Sequence, residues 1–204
     1  MAADRRGIVV FGGTFDPPHL GHLILASDAA EALRPERFLV VPCGDPWHRS
    51  SAQTTAPSIR WEMTQAAFSS FPQFEVTDRE IQRPGPTYTV DTLRELRSET
   101  SAELTLLIGE DSLAAFDSWR EPEAIAKLAR IAVLERGEVR TDPTPKIGDD
   151  GLERITIRRI DISSTEIRAR VAAGRPVAPL LPDGVAEIIE REGLYEGIRP
   201  GSRG

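Results

Sequence analysis

Two glycines and two histidines stand close together in the segment GGTFDPPHLGH, which begins at Gly12 and ends at His22. The apolar run Ile8–Phe11 precedes it, which is typical of a buried parallel strand that ends in a tight turn. Since glycine has no Cβ, a bulky anion can approach the backbone N–H groups of Gly12 and Gly13. The segment therefore predicts an anion site at the end of a strand.

A helix is predicted directly after this turn, from His19 to Leu33, because apolar residues recur there at helical spacing. His19 and His22 lie three positions apart and share one face of its first turn. The free N–H groups and the dipole of a helix N-terminus attract negative charge, so the pattern predicts a nucleotide-phosphate site. Zinc is disfavoured, because it takes three or four protein ligands and the chain has only 3 histidines and 1 cysteine.

A second motif, ISSTEIR, follows far downstream at residues 162–168. Ser163 and Glu166 have the spacing of a capping box, which marks the N-terminus of another helix. Helical side chains lean toward the N-terminus, so Arg168 can reach back and hold two phosphate oxygens there. Taken alone, the motif would be an ordinary helix cap with a solvated arginine. Beside the first motif, it predicts a second phosphate-binding helix end.

Three segments in the middle of the chain offer groups for a second substrate. GPTYTVDTL starts at Gly85, and we predict Thr89 as the N-cap of its helix. GEDSLAAFDSW ends at Trp119, which either stacks on a flat ring or belongs to the core, and its Asp111 is a candidate N-cap. PCGDPWHR, residues 42–49, is a polar loop that carries Trp47 and Arg49.

Composition excludes several classes of protein. A net charge of −7 over 204 residues argues against non-specific binding to nucleic acid. No apolar run approaches the length of a membrane span, and the single cysteine, Cys43, fits a reducing cytoplasm. The G-x-G-x-x-G of dinucleotide-dependent oxidoreductases and the GxxxxGK[ST] of P-loop kinases are both absent.

Alternation of strands and helices predicts an α/β fold, with a doubly wound, mainly parallel sheet and a small helical C-terminal extension. We expect one domain over residues 1–196, with 152–196 as its C-terminal subregion, and a disordered tail at 197–204. Loops are predicted at 42–57 and 137–151. Predicted strands cover residues 8–11, 37–41, 74–77, 104–108, 131–135 and 155–157. Predicted helices cover residues 19–33, 58–68, 90–97, 111–116, 122–128 and 182–192, and ISSTEIR begins another.

The first and last motifs resemble those of the (H/T)xGH nucleotidyltransferase superfamily. The middle segments are similar to the (G/x)PSYTxDTL, GxDxLxxFxxW and PxxxPxHK segments of bacterial nicotinate-nucleotide adenylyltransferases, and the resemblance runs from Gly12 to Tyr195. It implies a Rossmann-like fold and adenylyl transfer from ATP to nicotinate mononucleotide, giving deamido-NAD and pyrophosphate. Mg²⁺ would be carried by ATP and held by no dedicated protein site.

The resemblance also implies roles for individual residues. The implied catalytic residues are His19, His22 and Arg168. The implied ATP-binding residues are Gly12, Gly13, Thr14, Phe15, Gly109, Asp111, Ser163, Ser164 and Thr165. The implied residues for the nicotinate nucleotide are Arg49, Thr87, Tyr88, Thr89 and Trp119. Arg49 departs from the family, which usually has lysine there. The planar guanidinium of arginine therefore replaces the compact ammonium group of lysine.

Two other functions stay open at this point. Phosphopantetheine adenylyltransferase, of the same superfamily, shares the first and last motifs but lacks the PTYT and FDSW segments found here. A non-catalytic nucleotide sensor could have kept the pocket, although intact His19, His22 and Arg168 argue against it. The sequence leaves open whether the protein forms a homo-oligomer.

Overall fold

The computed structural model describes residues 7–46, 54–137, 146–147 and 152–196. The strands are β1 (Ile8–Gly13), β2 (Arg37–Pro42), β3 (Asp45–Pro46), β4 (Phe74–Val76), β5 (Pro86–Thr87), β6 (Leu104–Gly109), β7 (Arg130–Gly137), β8 (Lys146–Ile147) and β9 (Glu153–Arg158). The helices are α1 (Leu20–Leu33), α2 (Pro57–Phe68), α3 (Thr89–Glu99), α4 (Glu110–Ala114), α5 (Pro122–Leu128), α6 (Ser164–Ala172) and α7 (Val185–Arg191). None of the helices in these ranges is long and apolar enough to cross a membrane.

Seven of the strands form one sheet in the order β4-β2-β1-β6-β7-β9-β8. All neighbouring strands are parallel except β8, which runs antiparallel to β9 at one edge. The chain winds outward from β1 through β2 to β4, then returns to β6 and winds outward in the other direction. The switch point therefore lies between β1 and β6, and ligands of such sheets bind beyond the carboxyl ends of the strands at this point.

Both faces of the sheet are covered, which explains the continuous apolar runs of its central strands. Val9 and Phe11 of β1 belong to one buried cluster, which also contains side chains of α1, α2, α6 and α7. Ile8 and Val10 belong to the other cluster, with side chains of α3 and α5. These layers confirm the predicted doubly wound α/β fold with helices at its C-terminal end.

The structure differs from the sequence prediction mainly in short elements. The predicted loop 42–57 contains β3, which pairs in parallel with β5, and residues 47–53 of this loop lie outside the described residues. Two-residue strands are too short to leave a periodic pattern, so sequence patterning cannot predict them. The last helix was predicted from Pro182 but begins at Val185, after Gly184 with a φ of 82°. The predicted tail at 197–204 lies outside the described residues.

Candidate active site

The glycines of the first motif end β1 at the switch point. Gly12 has open space on its side-chain side, because a Cβ there would meet nothing within 4 Å. At Gly13 a Cβ would lie 2.8 Å from the ring of Phe15, so the turn requires glycine. Phe15 itself is only 2% exposed, and its ring packs edge-on against Phe11 and His22. Its side chain therefore supports the turn from the core.

The two histidines occupy the N-terminus of α1, with His19 at the N-cap and His22 at the third helical position. Their rings are stacked, and the backbone N–H of His19 donates to Nδ1 of His22 at 3.2 Å. Because Nδ1 of His22 accepts this bond, the proton of the neutral ring lies on Nε2. Nδ1 of His19 is buried and has no partner among the described residues.

Burial controls the charge of both histidines. Desolvation lowers the pKa of His19 from 6.5 to about 4. It also lowers the pKa of His22 well below 6.5, and a charge on His19 would lower that pKa further. Both rings are therefore neutral at pH 7 in the protein without substrate. They act there as dipolar hydrogen-bonding groups at a helix end whose N–H groups and dipole already favour anions.

The ISSTEIR motif packs directly on the first motif. Ser163 caps α6, because its hydroxyl accepts from the backbone N–H of Glu166 at 3.1 Å, as predicted. The hydroxyl of Ser164 donates to the carbonyl of Pro17 at 2.9 Å. Arg168 reaches back along the helix and donates to the carbonyl of Asp16 at 2.8 Å. The two motifs thus form one structure, although 147 residues separate Pro17 from Ser164.

A cavity of about 620 Å³ opens at the carboxyl ends of β1 and β6. Its lining includes nine of the candidate residues: Gly12, Gly13, Thr14, His22, Thr87, Thr89, Gly109, Asp111 and Trp119. The other candidates in the described ranges do not line it: Phe15, His19, Tyr88, Ser163, Ser164, Thr165 and Arg168. Arg49 lies outside the described residues.

The far wall of the cavity is built by β5 and the start of α3. Thr87 is buried, and its hydroxyl donates to the carbonyl of Asp45 in β3 at 3.4 Å. Tyr88, not Thr89, is the N-cap of α3, so that prediction was wrong. The helix starts directly after β5, which leaves no room for a later cap. The guanidinium of Arg120 lies 4.5 Å from the centre of the Tyr88 ring, where cation–π attraction holds it.

The wall after β6 carries the remaining candidates. Gly109 is the N-cap of α4 and Asp111 lies inside that helix, so the predicted cap at Asp111 was wrong as well. The helix begins at once where the strand ends, one residue earlier than predicted. Trp119 is half-buried against Phe116, with the ring centres 5.5 Å apart, and still lines the cavity. Its ring is therefore placed both to pack and to meet a ligand.

Sequence reasoning missed two ionisable residues at this site. Glu80 lines the cavity although it is buried, and it accepts from the hydroxyl of Thr92 at 2.6 Å. Burial raises the pKa of its carboxyl group. Arg60 of α2 is fully buried behind Thr14 and Cys43 of the cavity lining. Both lie in segments whose local sequence resembles an ordinary polar surface, so no motif marks them.

No group of three His, Cys, Asp or Glu side chains that could hold a metal ion occurs within residues 7–46, 54–137, 146–147 and 152–196. Cys43, at the end of the cavity near β2, is also no activated nucleophile, because burial raises the pKa of its thiol. The described lining residues can supply hydrogen bonds, charge and placement.

Comparisons with known proteins agree on one family. A cytidylyltransferase-like family model matches residues 10–170. A "Probable nicotinate-nucleotide adenylyltransferase" of Acidothermus cellulolyticus is 39% identical over 201 residues, covering 96% of this chain and 97% of that one. A protein of the same name from Streptomyces coelicolor is 43% identical over 188 residues, covering 91% and 99%.

A solved structure shares the fold at low sequence identity. The nicotinic acid mononucleotide adenylyltransferase of Plasmodium falciparum, complexed with NaAD, matches with a TM-score of 0.75 and 20% identity over 93% of this chain and 97% of that one. Together with the close relatives, which align over almost their whole length, this confirms the predicted family. The chain is a member of the cytidylyltransferase-like family and, within it, of the nicotinate-nucleotide adenylyltransferases.

Proposed function

We propose that this protein transfers the adenylyl group of MgATP to nicotinate mononucleotide, producing deamido-NAD and pyrophosphate in NAD biosynthesis. The observation that carries the proposal is the cavity itself. Its lining combines the glycine turn and His22, at a helix N-terminus, with Thr87 and Trp119. The relatives that align with nearly the whole chain are named for this reaction.

The nucleotide binds, in this proposal, along the turn after β1. Gly12, Gly13 and Thr14 present their backbone to the phosphates, and the Nε2–H of neutral His22 donates to them. The open space beside Gly12 leaves the approach clear. Gly109 and Asp111 meet the ribose across the switch point. His19 and the α6 residues Ser164, Thr165 and Arg168, with the cap Ser163, close over the phosphates and adenine.

The acceptor binds on the opposite side of the same cavity. Thr87 and Thr89 hold the pyridine carboxylate and Trp119 stacks on the ring, an arrangement that suits an anion and a flat aromatic group. Tyr88 reaches the ring through its backbone, because its own ring already packs under Arg120. Arg49, which lies outside the described residues, is assigned a phosphate contact in this proposal.

The reaction is an in-line displacement. A 5′-phosphate oxygen of nicotinate mononucleotide attacks the α-phosphorus of ATP, a new P–O bond forms, and the bond to the β-phosphate oxygen breaks to release pyrophosphate. The attacking phosphate is already anionic near neutral pH, so no strong general base is needed. Repulsion between two polyanions is the main barrier, and catalysis comes from placement and electrostatic stabilisation. Mg²⁺ enters as part of the nucleotide substrate, held by its phosphates and water.

The test is pyrophosphate release with MgATP and three acceptors: nicotinate mononucleotide, nicotinamide mononucleotide and phosphopantetheine. We expect a strong preference for nicotinate mononucleotide. Equal use of both pyridine nucleotides would contradict the roles given to Thr87 and Thr89 while keeping the reaction. Activity with phosphopantetheine alone would contradict the acceptor, and no turnover with any acceptor would favour a nucleotide sensor.

A further inference from the structure

Arg60 is a fully buried arginine, with 0% of its surface exposed. A guanidinium carries its charge permanently in proteins, so α2 places a full positive charge in the interior. None of the described carboxylates forms an ion pair with it. A buried charge without a counter-ion lowers the free energy of unfolding, so we expect Arg60 to have a role that offsets this cost.

The guanidinium is satisfied by backbone carbonyl oxygens from three separate segments. Its Nε donates to the carbonyl of Thr55 at 2.9 Å. Its Nη1 donates to the carbonyls of Thr14, at 2.9 Å, and Cys43, at 2.6 Å. Its Nη2 donates to the carbonyl of Gly44. Because the fork is rigid and planar, these bonds fix the distance and angle between the turn after β1 and the turn after β2.

These two turns are neighbours, since the backbone N–H of Cys43 donates to the carbonyl of Gly13 at 2.9 Å, and they lead to different parts of the cavity lining. Thr14 belongs to the glycine turn, whereas Cys43 and Gly44 lead into β3, which pairs with β5 and so positions Thr87. Gly44 is itself held tightly, because a Cβ at this position would overlap the carbonyl oxygen of Glu80. A continuous series of close contacts therefore leads from Arg60 through Gly44 to Thr87.

We infer that Arg60 is a positioning residue that sets the spacing between the nucleotide side and the acceptor side of the cavity. The inference rests on the proposed function, in which the two substrates occupy these two sides. When two bound substrates react with each other, a misplacement of about 1 Å can cost about 100-fold in rate. A rigid cation joining both turns supplies that placement, and neither substrate needs to touch it.

Arg60→Lys tests this inference, with Arg97→Lys as the matched control. Lysine keeps the charge but loses the fork. Arg97 also donates to two carbonyl oxygens, of Leu128 at 2.8 Å and Ala102 at 2.7 Å, but does so at the amino end of the sheet. Calorimetry measures the binding of AMP, nicotinate mononucleotide and deamido-NAD, of which only the last spans both sides.

For Arg60→Lys we expect the Kd of deamido-NAD to rise roughly tenfold and the Kd values of AMP and nicotinate mononucleotide to change by less than about threefold. The kcat should fall by roughly tenfold or more at nearly unchanged KM for both substrates. Arg97→Lys should leave all these values unchanged. Arg60→Gln keeps an amide donor at the same position without the planar guanidinium, and it should give the same pattern even if Arg60→Lys fails to fold.

Equal weakening of all three ligands, or unchanged binding of deamido-NAD, in a folded Arg60→Lys or Arg60→Gln variant would overturn the inference. Failure of both variants to fold would overturn it too, because Arg60 would then be required for the fold as a whole. So would the same losses in Arg97→Lys, because they would indicate general destabilisation. Failure of the proposed function looks different, since the wild-type protein itself would then release no pyrophosphate with nicotinate mononucleotide as acceptor.

Discussion

The rings of His19 and His22 are stacked at the N-terminus of α1, with centres 3.7 Å apart and planes inclined by 28°. The backbone N–H of His19 binds Nδ1 of His22, which leaves the Nε2–H of His22 as a donor at the cavity wall. One histidine thus orients the other. Only His22 of this pair lines the cavity.

Replacing His22 by alanine should lower kcat by about 100-fold or more, because it removes a donor aimed at charge that develops during phosphoryl displacement. The KM for ATP should change much less, since the glycine turn and helix end remain. Steady-state pyrophosphate release measures both values. Thermal unfolding serves as the control for folding, and a normal kcat in a folded variant would contradict the role of His22.

The buried histidines should also make stability depend on pH. Since the pKa of His19 is about 4 in the folded protein and 6.5 in the unfolded chain, the unfolded chain binds protons first as pH falls. The contribution of His19 to the free energy of unfolding is therefore fully present well above pH 6.5. It is lost as the pH decreases toward about 4, the pKa of His19 in the folded protein. Below the pKa of the unfolded chain, each of the two histidines contributes a slope of at most about 1.4 kcal/mol per pH unit.

Urea unfolding of the wild type and of His22→Asn between about pH 7 and pH 5 measures this slope, above the range where most carboxylates titrate. Asparagine keeps an acceptor for the N–H of His19 but does not titrate, so the variant should show a shallower decline. Glu80 works in the opposite direction, because its raised pKa favours the protonated folded state, but it cancels between the two proteins. Parallel curves would contradict the burial argument.

Trp119→Ala should mainly raise the KM for nicotinate mononucleotide, because stacking on an aromatic side chain is worth about 1–3 kcal/mol per base. Trp61→Ala is the matched control, since Trp61 is half-buried on α2 and does not line the cavity. Both variants are compared by steady-state kinetics with each substrate varied in turn. A change in the KM for ATP alone would show that Trp119 does not hold the pyridine ring.

Sequence predicted the long elements of this fold to within a few residues, because central strands such as β1 and β6 are apolar on both faces and stand out in the chain. The structure brings the two predicted motifs together, because Ser164 and Arg168 donate to the carbonyls of Pro17 and Asp16. Caps were harder to predict. Thr89 and Asp111 have side chains suited to capping, yet Tyr88 and Gly109 occupy those positions because the helices start directly after strands.

The supporting residues of the site could not be predicted, for a physical reason. Arg60 has the sequence context of an exposed helical arginine, and its burial depends on carbonyl groups from turns distant in the chain. The same holds for Tyr195, whose hydroxyl donates to Asp16 over a separation of 179 residues. Hydrogen bonds of this kind leave no periodic pattern, because they depend on tertiary packing alone.

The contact between Tyr195 and Asp16 gives a final prediction. The Tyr195 hydroxyl lies 2.5 Å from Oδ1 of Asp16, which is 2% exposed and also accepts from the backbone N–H of Thr55. Tyr195→Phe would leave this buried carboxylate short of a donor, so the free energy of unfolding should fall by about 1–3 kcal/mol. The kcat should fall too, because the carbonyl of Asp16 is the group that Arg168 binds.

A double-mutant cycle separates this contact from other effects of the two substitutions. Urea unfolding of the wild type, Tyr195→Phe, Asp16→Asn and the double variant gives the four free energies that the cycle needs. If the hydroxyl and the carboxylate stabilise each other, the double variant should lose clearly less stability than the sum of the two single losses. Additive losses would mean that Tyr195 stabilises the C-terminal end of the chain by packing alone, without support from the turn that carries the first motif.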